Sequence, residues 1–142
     1  MRKYYFVLIF FLVTALVSFF IFQNRSTPIK NLDSQGKNII CFGDSLTYGR
    51  GASPGSSYPD LLQKEVLTPV INAGVSGDTT RDALLRLDRD VLEKEPYLVI
   101  VEFGGNDFLE GIPKEETTKN LEEMIKKAQD VGAIVALVDL KM

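Results

Sequence analysis

A doubly wound α/β fold, with a parallel sheet between two layers of helices, is the fold class predicted for residues 38–142, and two observations predict it. Four short apolar runs rich in Val and Ile alternate with three stretches of helical periodicity, and the first three runs end in turns of glycine and small polar residues. Strands buried on both faces read as continuous apolar runs, and parallel neighbours need right-handed helical crossovers. Strand, helix, strand in repetition therefore predicts a flavodoxin-like three-layer sandwich.

The elements follow in chain order. The first strand is "NIICF", 38–42. A helix is expected over "SYPDLLQKEVL", with Ser57 as its N-cap and Asp60 placed to complete a capping box. The second strand is "PVINA", 69–73. In "TTRDALLRLDRDVLEKE" the residues Ala83, Leu84, Leu87, Val91 and Leu92 fall on one stripe, as an amphipathic helix requires. The third strand is "YLVIVEF", 97–103. Leu121, Met124, Ile125 and Ala128 form the stripe of a helix over "KEETTKNLEEMIKKAQD", which stops at Val131-Gly132. "AIVALVD", 133–139, is the fourth strand.

The chain ahead of this domain is of another kind. From Tyr4 to Phe22 there is no charge, and at 1.5 Å per residue such a helix would span about 28 Å, close to the thickness of a bilayer's hydrocarbon. Residues 1–23 read as an uncleaved membrane anchor, since "SFFIFQNRS" puts bulky side chains where a signal peptidase would cut. A cleaved signal, and so a secreted domain, is the alternative. Arg2 and Lys3 ahead of the span favour a cytoplasmic N-terminus and an outward-facing domain. Residues 24–37, "NRSTPIKNLDSQGK", are polar and aperiodic and read as a tether.

Composition excludes several functions. The net charge is −3, and both Arg2 and Lys3 precede the span, so the domain offers no electrostatic footprint for nucleic acid. With no His and one Cys there is no basis for a metal site, and no cofactor is implied. Cys41, inside an apolar run, is expected to be a buried, inert thiol.

In open parallel sheets ligands bind beyond the carboxyl ends of the strands. Three strands there run into "GDSLTYG" (43–49), "NAGVSGDTT" (72–80) and "FGGNDF" (103–108). Singly, each is ordinary turn chemistry, in which Gly supplies an unusual φ and Asp, Ser or Thr caps the backbone. Three such turns on successive strands, on one edge of the sheet, are a site.

Together these motifs resemble those of the SGNH hydrolases, also called GDSL esterases and lipases. The likeness runs from about Asn38 to the end of the chain. "VINAGVSGDTTRDALLRL" and "VIVEFGGND" look closest to the bacterial thioesterase, lysophospholipase and arylesterase branch. The resemblance implies Ser45 as nucleophile, with the Gly77 amide and the Asn106 carboxamide as oxyanion-hole donors beside the Ser45 amide. Gly43, Asp44, Gly104, Gly105 and Asp107 match the supporting positions of the motifs. Asn suits position 106 because an anion there would repel the charge it must stabilise. The glycines at 104 and 105 are expected to let the backbone approach substrate without a β-carbon.

The resemblance also implies a base that these 142 residues lack, because the family's histidine lies in a late D-x-x-H motif and this sequence has no His. Nothing places Asp139 or Lys141 beside Ser45 as a substitute. The expectation is therefore a domain truncated after its fourth strand, a fragment of a membrane-anchored esterase, rather than a complete binding module without catalysis. The expected substrate is a small-molecule acyl ester, with short acyl, aryl, thioester and lysophospholipid esters all open; oligomeric state leaves no signal. A nucleotide or phosphate binder, using "SGDTT" as an anion site, is the rival, but neither G-x-G-x-x-G nor G-x-x-x-x-G-K-[ST] occurs.

Overall fold

The computed structural model describes residues 28–139. The span Tyr4 to Phe22 lies outside them, and among the described residues no helix is long and apolar enough to cross a membrane.

Four strands, β1 (Asn38–Gly43), β2 (Val70–Gly74), β3 (Pro96–Glu102) and β4 (Ile134–Leu137), form one parallel sheet in the order β2-β1-β3-β4. Five α-helices accompany them: α1 (Ser45–Tyr48), α2 (Tyr58–Glu65), α3 (Thr80–Asp90), α4 (Gly105–Leu109) and α5 (Lys114–Asp130). The crossovers from β2 to β3 and from β3 to β4 advance in one direction along the sheet, and that from β1 to β2 in the other. With right-handed connections this puts α3 and α5 on one face and α2 on the opposite face.

Packing bears out that division. Ile40, Phe42, Val99, Val101 and Phe103 from the sheet interlock with Ala83, Leu87 and Val91 of the α3 segment and Met124 and Ala128 of α5. Each of the larger side chains removed from water here contributes about 1.5–3 kcal/mol before conformational entropy is subtracted. Leu84, Leu92 and Leu121 complete the stripes as partly buried neighbours. On the α2 face, by contrast, Pro59 is the one buried residue of the helix, and Leu61 is exposed.

The sequence reading needs correction in three places. Burial on both faces holds for β1, whereas β2 and β4 are half-buried or exposed, because each has a strand on one side only within the described sheet. The motif turns after β1 and β3 continue into the short helices α1 and α4. Two helices end early. The one begun at Ser57 stops at Glu65 rather than Leu67, because Val66 turns to an extended φ of −125° and ψ of 151°. Likewise α3 stops at Asp90 rather than Glu95, because Val91 leaves the helical region at φ −127° and Leu92–Lys94 form a separate 3-10 turn.

Register sets up the site. Gly43 of β1 pairs with Gly74 of β2 and with Glu102 of β3, so three strands end at one level. At the opposite edge Asn31 Nδ2 donates to the carbonyls of Gln129 and Ala133, both at 2.9 Å, and the Lys37 amide donates to the Glu95 carbonyl at 2.7 Å. Residues 31–37 are thereby stitched along the sheet's amino edge, away from the motif turns.

Candidate active site

Ser45 opens α1 immediately after β1. Asp44 caps that helix, its Oδ1 accepting from the Leu46 amide at 3.0 Å, and Gly49 ends it in the left-handed conformation, φ 93°. This abrupt stop and start leaves Ser45 partly exposed between the buried Asp44 and Thr47. Gly43 is required by crowding: a β-carbon there would lie 2.0 Å from Thr47 Oγ1 and 2.8 Å from the Glu102 carbonyl oxygen. Gly74 is constrained in the same way, since a β-carbon would come within 2.2 Å of the Tyr48 amide.

The second turn runs from β2 to α3. The Val75 amide donates to the Gly43 carbonyl at 3.1 Å, which ties this turn to the end of β1. Gly77 has φ 92° with open space around it, so the left-handed backbone, and not crowding, calls for glycine. Thr79, and not Asp78, is the N-cap of α3, in a capping box with Asp82.

The third turn carries Asn106. Gly104 adopts φ 118°, a conformation that strains any other residue, and at Gly105 a β-carbon would make ordinary contact with Asp44 Oδ2 at 3.8 Å. Asn106 Nδ2 donates to the Asp78 carbonyl at 2.8 Å and to Asp44 Oδ2 at 3.3 Å, so one carboxamide touches both other turns. Asp107, 1% exposed, faces inward. It accepts from the Thr80 amide at 2.9 Å, from the Thr80 hydroxyl, and from Thr117 Oγ1 at 3.1 Å, while Asn120 Nδ2 donates to Thr80 Oγ1 at 3.0 Å. These bonds lock α4 to the start of α3 and to α5.

Two further residues escape the motif reading. Arg86, on the face of α3 that meets the sheet, donates to the carbonyls of Gly43 at 3.1 Å and Ala73 at 2.9 Å and to Asp78 Oδ2 at 2.6 Å. Its guanidinium carbon lies 4.6 Å from the Phe42 ring centroid, a cation–π contact. It clamps the first two turns from beneath. Glu102, the last residue of β3, accepts from Thr47 Oγ1 at 2.9 Å under the nucleophile turn. Each leaves a trace in the sequence, a charge inside an otherwise apolar stripe or run. Cys41 is buried, and burial pushes its thiol up from the ordinary 9.0.

A glycine-turn site at the carboxyl edge of a parallel sheet, built from G-D-S, S-G-D-T and G-G-N-D, defines a class. The chain belongs to the GDSL-like lipase/acylhydrolase family, whose profile matches residues 41–141. Among curated proteins it is 36% identical over 111 residues to an arylesterase of Vibrio mimicus, covering 75% of this chain and 56% of that protein. It is 32% identical over 106 residues to the Escherichia coli K12 protein named thioesterase 1/protease 1/lysophospholipase L1, covering 73% and 51%. Among solved structures it matches that of AlinE4, an SGNH-hydrolase family esterase, at 37% identity and a TM-score of 0.67, covering 75% of this chain and 60% of that one. The chain spans about half the length of these curated relatives.

Proposed function

We propose that this chain carries the nucleophile and oxyanion-hole part of a serine ester hydrolase, with Ser45 attacking the acyl carbonyl. The observation that carries the reading is Asn106: its carboxamide bonds to the Asp78 carbonyl and the Asp44 carboxyl and so gathers three motif turns around Ser45. In this reading Ser45 Oγ bonds to the ester carbon, the carbonyl oxygen takes the negative charge, and the amides of Ser45 and Gly77 receive it together with Asn106 Nδ2, which exchanges its longer bond to Asp44 Oδ2 for the oxyanion. Collapse expels the alcohol or thiol and leaves an acyl-Ser45, which water hydrolyses. The proton of Ser45 must pass to a base that then protonates the leaving group, and a base of the histidine type is not among the 142 residues. Polypeptide beyond Met142 supplies it in this reading, and reading the coding DNA past that codon is the first test; a stop there removes the esterase reading for this chain.

In the polypeptide that carries the base, Ser45→Ala abolishes turnover of p-nitrophenyl acetate, and Asn106→Ala lowers kcat about 100- to 1000-fold with KM little changed. Wild-type rates in either variant would sink the assignment. The likeness to arylesterase and thioesterase/lysophospholipase proteins supports acyl esters and thioesters of modest size as substrates.

We place the domain outside the cytoplasmic membrane on the anchor formed by Tyr4 to Phe22, for which the uncharged span and the basic residues ahead of it are the support. Fractionation then finds the chain in membranes at its full mass, and deletion of residues 1–23 releases it. Recovery of a shortened wild-type chain from the medium would show cleavage and secretion.

A further inference from the structure

Directly beneath the nucleophile turn, on the α2 face of the sheet, lies a carboxyl group that the chemistry above does not use. Glu102 is 3% exposed. Its Oε2 accepts from Thr47 Oγ1 at 2.9 Å, and its Oε1 is buried without a hydrogen-bond partner. Thr47, fully buried, lies 3.3 Å from the Tyr58 hydroxyl. The titratable groups facing this carboxyl are the Asp44 carboxyl from the α1 turn and the Tyr58 phenol from α2, with the Cys41 thiol of β1 against that phenol, and the backbone amides of Asp44 and Thr47 face it as well. None is a cation. The nearby guanidinium of Arg86 works on the other face, where Asp78 and Asp90 neutralise it.

A buried carboxylate with one oxygen unpaired, no cation and another acid beside it is an expensive arrangement. The same side chain as a neutral acid still accepts the Thr47 hydrogen bond and avoids that cost. Position matters as well. Glu102 pairs with Gly43 across the sheet, and Gly43 has no side chain, so the carboxyl reaches over it to Thr47, two residues past Ser45 in the same short helix.

We propose that Glu102 is a positioning residue that works as a neutral acid, fixing the turn of Ser45 through Thr47 without placing a second negative charge beside the developing oxyanion. Its effect on turnover rests on the hydrolase reading, whereas its protonation does not. Burial pushes the Glu102 carboxyl up from the ordinary 4.5 and the Asp44 carboxyl adds to the rise, while the Thr47 hydroxyl and the backbone amides of Thr47 and Asp44 oppose it without cancelling it. The folded chain therefore keeps this proton at pH values where the unfolded chain has released it. The resulting stability is fully present below the ordinary value and is lost as pH rises through the window above it. With no histidine in the chain, that window holds few other titrating groups.

The test uses the full 142-residue chain in detergent. The carboxyl carbon of Glu102 is titrated by NMR in the wild type, and thermal midpoints of the wild type and Glu102→Gln are compared from about pH 5 to pH 8. A titration midpoint above 4.5, with a wild-type melting curve that declines with pH more than that of Glu102→Gln, is expected. A midpoint at or below 4.5, or parallel melting curves, overturns the proposal. In the polypeptide carrying the base, Glu102→Gln keeps kcat within about threefold while Glu102→Ala lowers it about tenfold or more at unchanged KM. Equal losses in the two variants, or none in Glu102→Ala, would likewise overturn the positioning role. Absence of turnover in the wild type counts against the hydrolase reading instead, and the NMR midpoint then decides the protonation alone.

Discussion

Arg86 and Glu102 are both buried at the carboxyl edge of the sheet, on opposite faces, and they are handled in opposite ways. Arg86 lies in the densely packed face under α3 and α5, with two carboxylates, two strand-end carbonyls and an aromatic ring around its guanidinium. Glu102 lies in the sparser face under α2 with one hydroxyl partner and an unpaired oxygen. A cation on the first face is fully compensated. On the second face the cheapest way to compensate the charge is to hold a proton. Both residues support the same site, one by pulling strand ends together and the other by holding the nucleophile turn.

The largest expected effect comes from breaking the compensated side. Arg86→Met takes the guanidinium away from Asp78 and from the carbonyls of Ala73 and Gly43, of which Gly43 keeps only the Val75 amide. Removing one partner of a buried pair costs about 3–5 kcal/mol. For a domain of this size that lowers the melting midpoint on the order of 10–20 °C. Arg86→Lys recovers only part of it, because an ammonium lacks the planar fork that reaches two carbonyls and a carboxylate together. A loss below about 1 kcal/mol for Arg86→Met would show the clamp to be a surface-like ion pair. The same measurement on Glu102→Gln should have the opposite sign at alkaline pH.

How far the sequence announced all this differs between the two faces. The α3 and α5 stripes, with Ala83, Leu87, Met124 and Ala128 at helical spacing, are legible because a period of 3.6 demands a single buried face, and these residues are buried. The four strands were legible as apolar runs, to within a residue or two at their ends. Edge exposure of β2 and β4 was not, since a run of Val and Ile looks the same whether it has one neighbour or two. At the site, Ser45 and Asn106 stood out through their glycine-bearing motifs. Arg86 and Glu102 did not, because their roles come from contacts 43 and 55 residues away along the chain. Each was visible only as a charge where the pattern called for an apolar residue.

The smallest expected effect sharpens the contrast between the faces with a matched pair of caps. Thr79 and Ser57 make the same capping box, each hydroxyl 2.6 Å from the carboxylate of the N3 aspartate, Asp82 or Asp60. Both are nearly buried, at 3% and 6% exposure. The helices they start are not alike: α3 buries Thr80, Ala83, Arg86 and Leu87, whereas α2 buries Pro59 alone. Replacing either cap with Ala removes about 1 kcal/mol of local helix stability. At Thr79 that loss is shared with the core, so it should appear in full in the global melt. At Ser57 it should appear first as exchange of the α2 amides, such as Leu61 and Val66, accelerated about fivefold, with a smaller shift of the melt, because a helix with so little buried surface opens by itself. Equal shifts of the global melt in the two variants would mean that α2 unfolds together with the core, and that the two faces are one cooperative unit despite their unequal packing.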